Sequence, residues 1–137
     1  MALSRLKFVV PGDDPPQIQG SSHLDRLEPY GDVTLFTDRP TTLGDQVERA
    51  RDAHAILNTR GAVKWPGDVL RALPKLRIIA TCSIGTDMID LQAASELGIT
   101  VSNQPGRTAG IVAEHIFGLM FAVAKRAAFQ TSELKAG

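Results

Sequence analysis

Residues 54–102 decide the fold and read HAILNTRGAVKWPGDVLRALPKLRIIATCSIGTDMIDLQAASELGITVS. Three short apolar runs in this stretch, 54–58, 76–80 and 99–102, alternate with two segments of helical character. Short apolar runs bounded by turn residues are typical of buried strands, and their alternation with helices indicates a parallel sheet. This stretch therefore predicts a strand–helix–strand–helix–strand unit.

The two helical segments carry recognisable start and stop residues. Pro66 suits a first helical turn because its φ angle is fixed, and Pro74 cannot continue a helix. The Asp90 side chain can accept a backbone N–H at a helix start, and Gly98 allows the backbone to leave the helix. Both helices therefore have ends defined by local chemistry.

Towards the amino terminus the same pattern adds two runs, 6–10 and 33–36. Ser22 and Thr42 each precede an acidic residue by three positions, which predicts an N-capped helix after each run. Five strands that alternate with helices through right-handed crossovers predict an α/β, doubly wound, flavodoxin-like domain with a parallel five-stranded sheet. Ligands bind beyond the carboxyl ends of such strands, which here are the loops 11–14, 37–41, 58–62, 81–87 and 102–108.

The last predicted helix, 108–131, does not fit that sheet. Its apolar side chains, from Ile111 to Ala124, wrap nearly around the helix, so one sheet cannot cover them all. We expect a domain over 1–107 and, over 108–137, a helix that another domain or a second copy of the chain covers. Phe117 belongs to this surface, as do Met120, Phe121 and Val123.

Composition excludes several classes of function. The 137 residues include 15 Lys+Arg and 15 Asp+Glu, so the formal net charge is zero and nothing favours nucleic acid or an anionic membrane as a partner. The single cysteine, Cys82, excludes an internal disulfide and a cysteine-based zinc cluster, and predicts no metal site and a cytoplasmic location. No apolar stretch is long enough to span a bilayer or to serve as a signal peptide.

Two features at the predicted carboxyl edge suit an anionic ligand. Gly85 follows the fourth strand, where a glycine lets backbone N–H groups turn towards an anion, although a turn that needs glycine for geometry alone has the same spacing. Arg60 follows the third strand and suits a carboxylate or phosphate, the alternative being a solvated surface arginine. Glu114 and His115 diverge by about 100° on a helix, which favours packing over acid–base catalysis.

Three other interpretations fail on the sequence. The dinucleotide fingerprint G-x-G-x-x-G and the phosphate-binding P-loop are both absent. A response-regulator receiver needs an aspartate after the third strand and a lysine after the fifth, where this chain has Asn58 and Asn103.

Residues 54–126 resemble the D-isomer-specific 2-hydroxyacid dehydrogenases, whereas residues 1–53 agree with that family in pattern only. The elements of the resemblance follow one another in order along the chain. They are LPKLRII at 73–79, SIGTDMID at 83–90, Ala93-Ala94, Gly98-Ile99, VSNQPG at 101–106, VAEH at 112–115 and Leu119-Met120.

The resemblance implies that this chain binds the substrate, whereas a second domain binds the cofactor and carries the catalytic residues. The first 107 residues would be the flavodoxin-like substrate domain. The helix near Val112 would cross into a Rossmann cofactor domain and lie in a homodimer interface. That Rossmann domain, which would bind NAD or NADP, is expected to be absent from this chain, together with the catalytic arginine, glutamate and histidine. The polypeptide alone is then expected to be inactive.

The resemblance also assigns roles to individual residues. The backbone of Ser83, Ile84 and Gly85 would hold the carboxylate of a small 2-hydroxy or 2-keto acid, with Arg60 on the substrate's acidic group. Ile84 and Val112 would approach the nicotinamide. Ser83 stands where the family usually has glycine, and Met88 replaces a frequent asparagine.

The sequence leaves two functions open. The first is the substrate-binding part of an NAD(P)-dependent oxidoreductase that acts on the CH–OH group of D-2-hydroxy acids. The alternative is a free-standing, non-enzymatic flavodoxin-like module that binds a ligand or a partner.

Overall fold

The computed structural model describes residues 5–106 and 108–137, which fall into two compact units, Met1–Gln104 and Pro105–Gly137. The first unit contains one sheet of five parallel strands in the order β2-β1-β3-β4-β5. This order is the flavodoxin-like one, so the predicted fold class is confirmed. The strands are β1 (Leu6–Val10), β2 (Gly31–Leu35), β3 (Ala55–Asn58), β4 (Ile78–Thr81) and β5 (Thr100–Ser102).

Three helices connect the later strands, and two of them begin on the predicted capping residues. The Thr42 hydroxyl accepts the Asp45 N–H (3.1 Å), and the Asp90 carboxylate accepts the Ala93 N–H (3.0 Å). Gly98 has φ +70°, a left-handed conformation that glycine adopts without strain, and it turns the chain into β5. The helices are α1 (Leu43–Ala50), α2 (Gly67–Arg71) and α3 (Leu91–Glu96).

The helix predicted from Ser22 is wrong. The chain forms only a short 3₁₀ turn, Leu24–Leu27, and its capping residue His23 makes no side-chain capping bond. The hydroxyl of Ser21 accepts the His23 N–H (3.3 Å), and the Tyr30 N–H bonds to Leu27 O (2.9 Å) just before β2. The Leu24 N–H also bonds to Ser21 O (3.1 Å) and the Glu28 N–H to Asp25 O (3.2 Å), and such bonds to the third residue back define a 3₁₀ helix.

The core lies where one face of the sheet packs on the helices. Val9, Ile56 and Ile79 point to this face and are at most 5% exposed. They form one buried cluster with Trp65 and with apolar residues of α1, α2 and α3. Alternate residues such as Leu57 are only half-buried. Since side chains alternate along a strand, the two faces of the sheet are unequally covered.

The second unit contains two helices, α4 (Thr108–Ala124) and α5 (Ala127–Ala136). The single helix predicted over 108–131 is therefore wrong in its extent. Arg126 has φ 53°, a left-handed conformation that ends one helix and starts the next, and its guanidinium lies 4.3 Å from the ring centroid of Phe129. The apolar run ends at Ala124, immediately before two cationic residues, so the break coincides with a change of composition.

Neither helix buries a side chain. Every described residue of α4 and α5 is exposed, including Phe117, Met120 and Phe121 at 55–60%. No single described helix has the length and apolarity to cross a membrane. The pair α4 and α5, bent by 54°, meets that criterion by length and composition only.

Candidate functional site

The loops that follow β3, β4 and β5 meet at the carboxyl edge of the sheet. Asn58 and Thr81 are paired in register at the ends of β3 and β4. Beyond them the Cys82 N–H donates to Asn58 O (3.0 Å), and the Gln104 N–H donates to Ser83 O (3.0 Å). The predicted loop at residues 83–85 is therefore attached on both sides to neighbouring loops.

All three carbonyl groups of this loop are engaged. Ser83 O accepts from the Gln104 backbone, and Ile84 O accepts from Asn103 Nδ2 (2.7 Å). Gly85 O accepts from the Ser83 hydroxyl (3.0 Å), which lies 2.8 Å from the Thr81 hydroxyl. Ser83, which departs from the family's usual glycine, thus stabilises the loop through its side chain.

The N–H groups of the loop point the other way. In a trans peptide the C=O and N–H directions are opposed, so carbonyls held towards the β5 loop leave the N–H groups of Ile84 and Gly85 facing outward. Within residues 5–106 and 108–137, neither N–H has a hydrogen-bond acceptor, and both residues are exposed. Adjacent free N–H groups in a turn form a site for an anion such as a carboxylate.

Arg60 lies in the turn Thr59–Gly61 that directly follows β3. Its side chain is exposed, and its guanidinium forms no ion pair or hydrogen bond with the described part of the chain. Its φ of 45° is left-handed, a conformation that costs a non-glycine residue about 1–2 kcal/mol. Non-glycine residues held in such conformations cluster at functional sites.

The Met88 side chain packs on the turn that contains Arg60. A Cβ atom placed on Gly61 would lie 3.0 Å from Met88 Cγ, so the methionine side chain packs directly on the turn. The Met88 carbonyl accepts the Trp65 N–H, which anchors the same residue to the core. The substitution of the family's frequent asparagine therefore places an apolar contact beside Arg60.

Asp13 is a buried carboxylate at the carboxyl end of β1, with no exposed surface. It accepts the N–H groups of Gln17 (3.0 Å), Ile18 (3.0 Å) and Gln19 (2.8 Å). Burial would raise the pKa of Asp13, but these bonds, with one from Thr59, together hold its pKa below the usual value. Asp13 is therefore a charged centre that orders the loop after β1.

A cavity of about 570 Å³ opens beside that loop. Its walls include Ile18 and Leu24 from the segment before β2, and Leu57 and Cys82 from the ends of β3 and β4. Burial raises the pKa of the Cys82 thiol, and the charge of Asp13 raises it further. Cys82 is therefore a protonated wall residue rather than a thiolate nucleophile.

The other predicted site residues lie outside this cluster. Val112 lies on α4 in the second unit with about half of its side chain exposed (49%). Glu114 and His115 are exposed on the same helix. No group of three metal-ligating side chains occurs among residues 5–106 and 108–137. The roles predicted for Arg60, Ser83, Ile84, Gly85 and Val112 stay predictions.

Sequence reasoning missed Asn103 and Asp13 as site residues. The residue pattern assigned Asn103 no role beyond its place in the resemblance and its mismatch with a receiver, and Asp13 was only part of the loop 11–14. The available signal was their position, since each lies within three residues of the end of a predicted strand, at the edge where the loops converge. Which backbone groups they bind depends on loop conformation, which the residue pattern does not determine.

Comparison with known proteins identifies the family of the chain. Residues 16–136 match the D-isomer-specific 2-hydroxyacid dehydrogenase catalytic domain. Because this match covers most of the 137 residues, the chain belongs to the D-isomer-specific 2-hydroxyacid dehydrogenase family.

Individual relatives show how much of a family member the chain covers. It is 46% identical over 82 residues to hydroxypyruvate reductase of Thermotoga maritima, covering 60% of this chain and 27% of that protein. It is 37% identical over 111 residues to D-3-phosphoglycerate dehydrogenase of Methanocaldococcus jannaschii, covering 81% of this chain and 21% of that protein. The chain thus spans about a quarter of the length of these relatives.

A solved structure with NAD⁺ bound has the same fold. The 3-phosphoglycerate dehydrogenase of Entamoeba histolytica is 26% identical to this chain, with a TM-score of 0.70. The alignment covers 87% of this chain and 39% of that one.

Proposed function

We propose that this chain is the substrate-binding part of an NAD(P)-dependent oxidoreductase that acts on the CH–OH group of small D-2-hydroxy acids. The observation that carries the proposal is the pair of N–H groups at Ile84 and Gly85, which have no acceptor among the described residues, at the sheet edge that also carries the Arg60 turn. Backbone donors and a guanidinium are the groups that proteins use to bind a carboxylate. The names of the relatives, a hydroxypyruvate reductase and a phosphoglycerate dehydrogenase, support this substrate class.

The residues of this chain fit one end of a nicotinamide cofactor. The Ile84 side chain is 47% exposed beside the proposed acid site, which suits contact with a flat, apolar ring. NAD or NADP would supply the hydride acceptor. The sequence has no G-x-G-x-x-G turn for the pyrophosphate.

The chain alone is not expected to oxidise 2-hydroxy acids. The family resemblance assigns proton transfer to a histidine that His23, His54 and His115 do not match. The check is the absorbance of reduced nicotinamide with D-glycerate as substrate. Turnover at about 1–1000 per second would contradict this expectation.

We further propose that α4 mediates a homodimer. Its apolar side chains are exposed all round, and the stacked rings of Phe117 and Phe121 (centroids 6.5 Å apart) form part of that surface. Ile116, Leu119 and Met120 extend the exposed apolar surface on the same helix. An exposed apolar surface of this kind marks an interface, and pairing with a second copy about a two-fold axis covers it most simply.

Replacing Arg60 by alanine is expected to weaken binding of D-glycerate about threefold to tenfold, since one charge-assisted contact is lost. Replacing Arg60 by glycine should weaken binding equally but stabilise the fold by about 0.5–1 kcal/mol, because glycine adopts φ 45° without strain. Calorimetric titration and urea unfolding measure the two effects.

Arg71→Ala is the matched control for the loss of an arginine, because Arg71 lies on α2 and pairs with Asp68 (3.1 Å). Its binding should equal that of the unchanged chain. The role given to Arg60 is wrong if Arg60→Ala binds D-glycerate as tightly as Arg71→Ala.

A further inference from the structure

The peptide plane between Ile84 and Gly85 is the one in the loop that can flip most easily. Glycine accepts positive φ as readily as negative φ, so a peptide that precedes it can rotate by half a turn at little cost. Such a rotation would exchange the directions of Ile84 O and the Gly85 N–H, because the peptide is a rigid plane with these groups opposed. The Gly85 N–H would then no longer face the acid.

Asn103 blocks that rotation in the structure. Its Nδ2 donates to Ile84 O at 2.7 Å, a short hydrogen bond. Since the carbonyl is fixed towards Asn103, the Gly85 N–H is fixed in the opposite direction. Asn103 itself lies just beyond the end of β5, which pairs with β4 and gives the side chain a rigid base.

The neighbouring peptide is held in a different way. Ser83 O accepts the backbone N–H of Gln104 (3.0 Å), so a backbone bond fixes the direction of the Ile84 N–H. Two bonds between described residues reach the 83–85 loop from beyond β5, and of these the Asn103 bond is the one that truncating a side chain removes.

We infer that Asn103 is a positioning residue for the acid: its carboxamide holds the Ile84–Gly85 peptide so that the Gly85 N–H faces the substrate carboxylate. This inference rests on the proposed function, which places the carboxylate at this loop. Asn103 does not touch the carboxylate in this arrangement. It determines whether the loop presents two N–H donors or one.

Asn103→Ala in the full 137-residue chain tests the inference, with Gln104→Ala as the matched control because it keeps the backbone donor. Amide NMR of the ligand-free proteins should show a lower order parameter for Gly85 in Asn103→Ala and an unchanged one in Gln104→Ala. Titration with D-glycerate should show about tenfold weaker binding in Asn103→Ala alone. Because Asn103 is exposed, the thermal midpoint of unfolding of Asn103→Ala should differ from that of the unchanged chain by no more than about 2 °C.

The outcomes separate this inference from the function on which it rests. An unchanged Gly85 order parameter in Asn103→Ala, or equal affinity for D-glycerate in that variant and Gln104→Ala, would overturn the positioning role. Absence of any response of the Ile84 and Gly85 amides to D-glycerate in the unchanged chain would instead overturn the proposed acid site.

Discussion

Replacing Phe117 by aspartate is expected to leave the chain monomeric at concentrations at which the unchanged chain forms dimers. Phe117 is 56% exposed on α4 and stacks on Phe121. In a dimer through this helix the new carboxylate would be buried without a partner, which costs about 3–5 kcal/mol. The dimer would then dissociate about a hundredfold more readily or worse. Sedimentation equilibrium at micromolar concentration measures the change.

Gln130→Asp provides the matched control, because it adds the same charge at a polar, exposed position of α5. This variant should sediment as the unchanged chain does. The dimer proposal fails if the unchanged chain sediments as a 14.7 kDa monomer while circular dichroism shows its helices intact. It also fails if Phe117→Asp and Gln130→Asp dimerise equally.

Replacing Asp13 by asparagine is expected to destabilise the first unit by about 2–4 kcal/mol at neutral pH. The carboxylate of Asp13 is fully buried and accepts three backbone N–H groups, and hydrogen bonds to a charged acceptor are worth about 1.5–3 kcal/mol each. The neutral amide accepts through one oxygen only and so leaves donors unsatisfied. Urea unfolding measures the loss.

The same substitution should change how stability depends on pH. The pKa of Asp13 is lower in the folded chain than its usual value, because the hydrogen bonds outweigh the effect of burial. The ionised carboxylate therefore stabilises the fold above about pH 4, and this contribution is lost as pH falls through the lowered folded pKa. The difference in unfolding free energy between the unchanged chain and Asp13→Asn should shrink over that interval.

Asp14→Asn controls for the loss of an aspartate in the same loop. Asp14 is exposed and lies 3.5 Å from the Arg39 guanidinium, an ion pair of the kind that contributes little. We expect Asp14→Asn to change stability by less than about 0.5 kcal/mol. If the difference in unfolding free energy between the unchanged chain and Asp13→Asn stays constant down to about pH 3, the charge of Asp13 is not the stabilising feature.

The sheet could be predicted from the sequence because each of its strands is a short apolar run between turn residues. The caps at Thr42 and Asp90 followed from local chemistry, since a side-chain oxygen three residues before a helical N–H can reach it without help from the rest of the fold. The region from Ser22 to Leu27 has the same local signal and forms only a 3₁₀ turn. In that region the hydrogen bonds that form involve Ser21 and Tyr30 instead of the predicted cap at Ser22, and the capping pattern does not predict them.

In the candidate site, too, the location of residues could be predicted from the sequence, whereas orientations that depend on tertiary hydrogen bonds could not. Strand order placed Arg60 and Gly85 at one edge, because parallel strands end together there. The direction of the loop's N–H groups could not be predicted, since the carbonyls opposite them bond to Gln104 and to Asn103, which lies 19 positions along the chain from Ile84. The left-handed conformations of Arg60 and of Arg126, where the helix breaks, could not be predicted either, because arginine has no preference for positive φ.

Titration of the unchanged chain with D-glycerate, followed by amide NMR, tests the account most directly. We predict saturable shifts centred on the Ile84 and Gly85 amides, with a dissociation constant of roughly a millimolar or weaker, because only a few donors contribute. Glycerol, which lacks the carboxylate, should leave these amides unchanged. Shifts centred elsewhere on the chain, or equal shifts with glycerol, would contradict an acid-binding role for this loop.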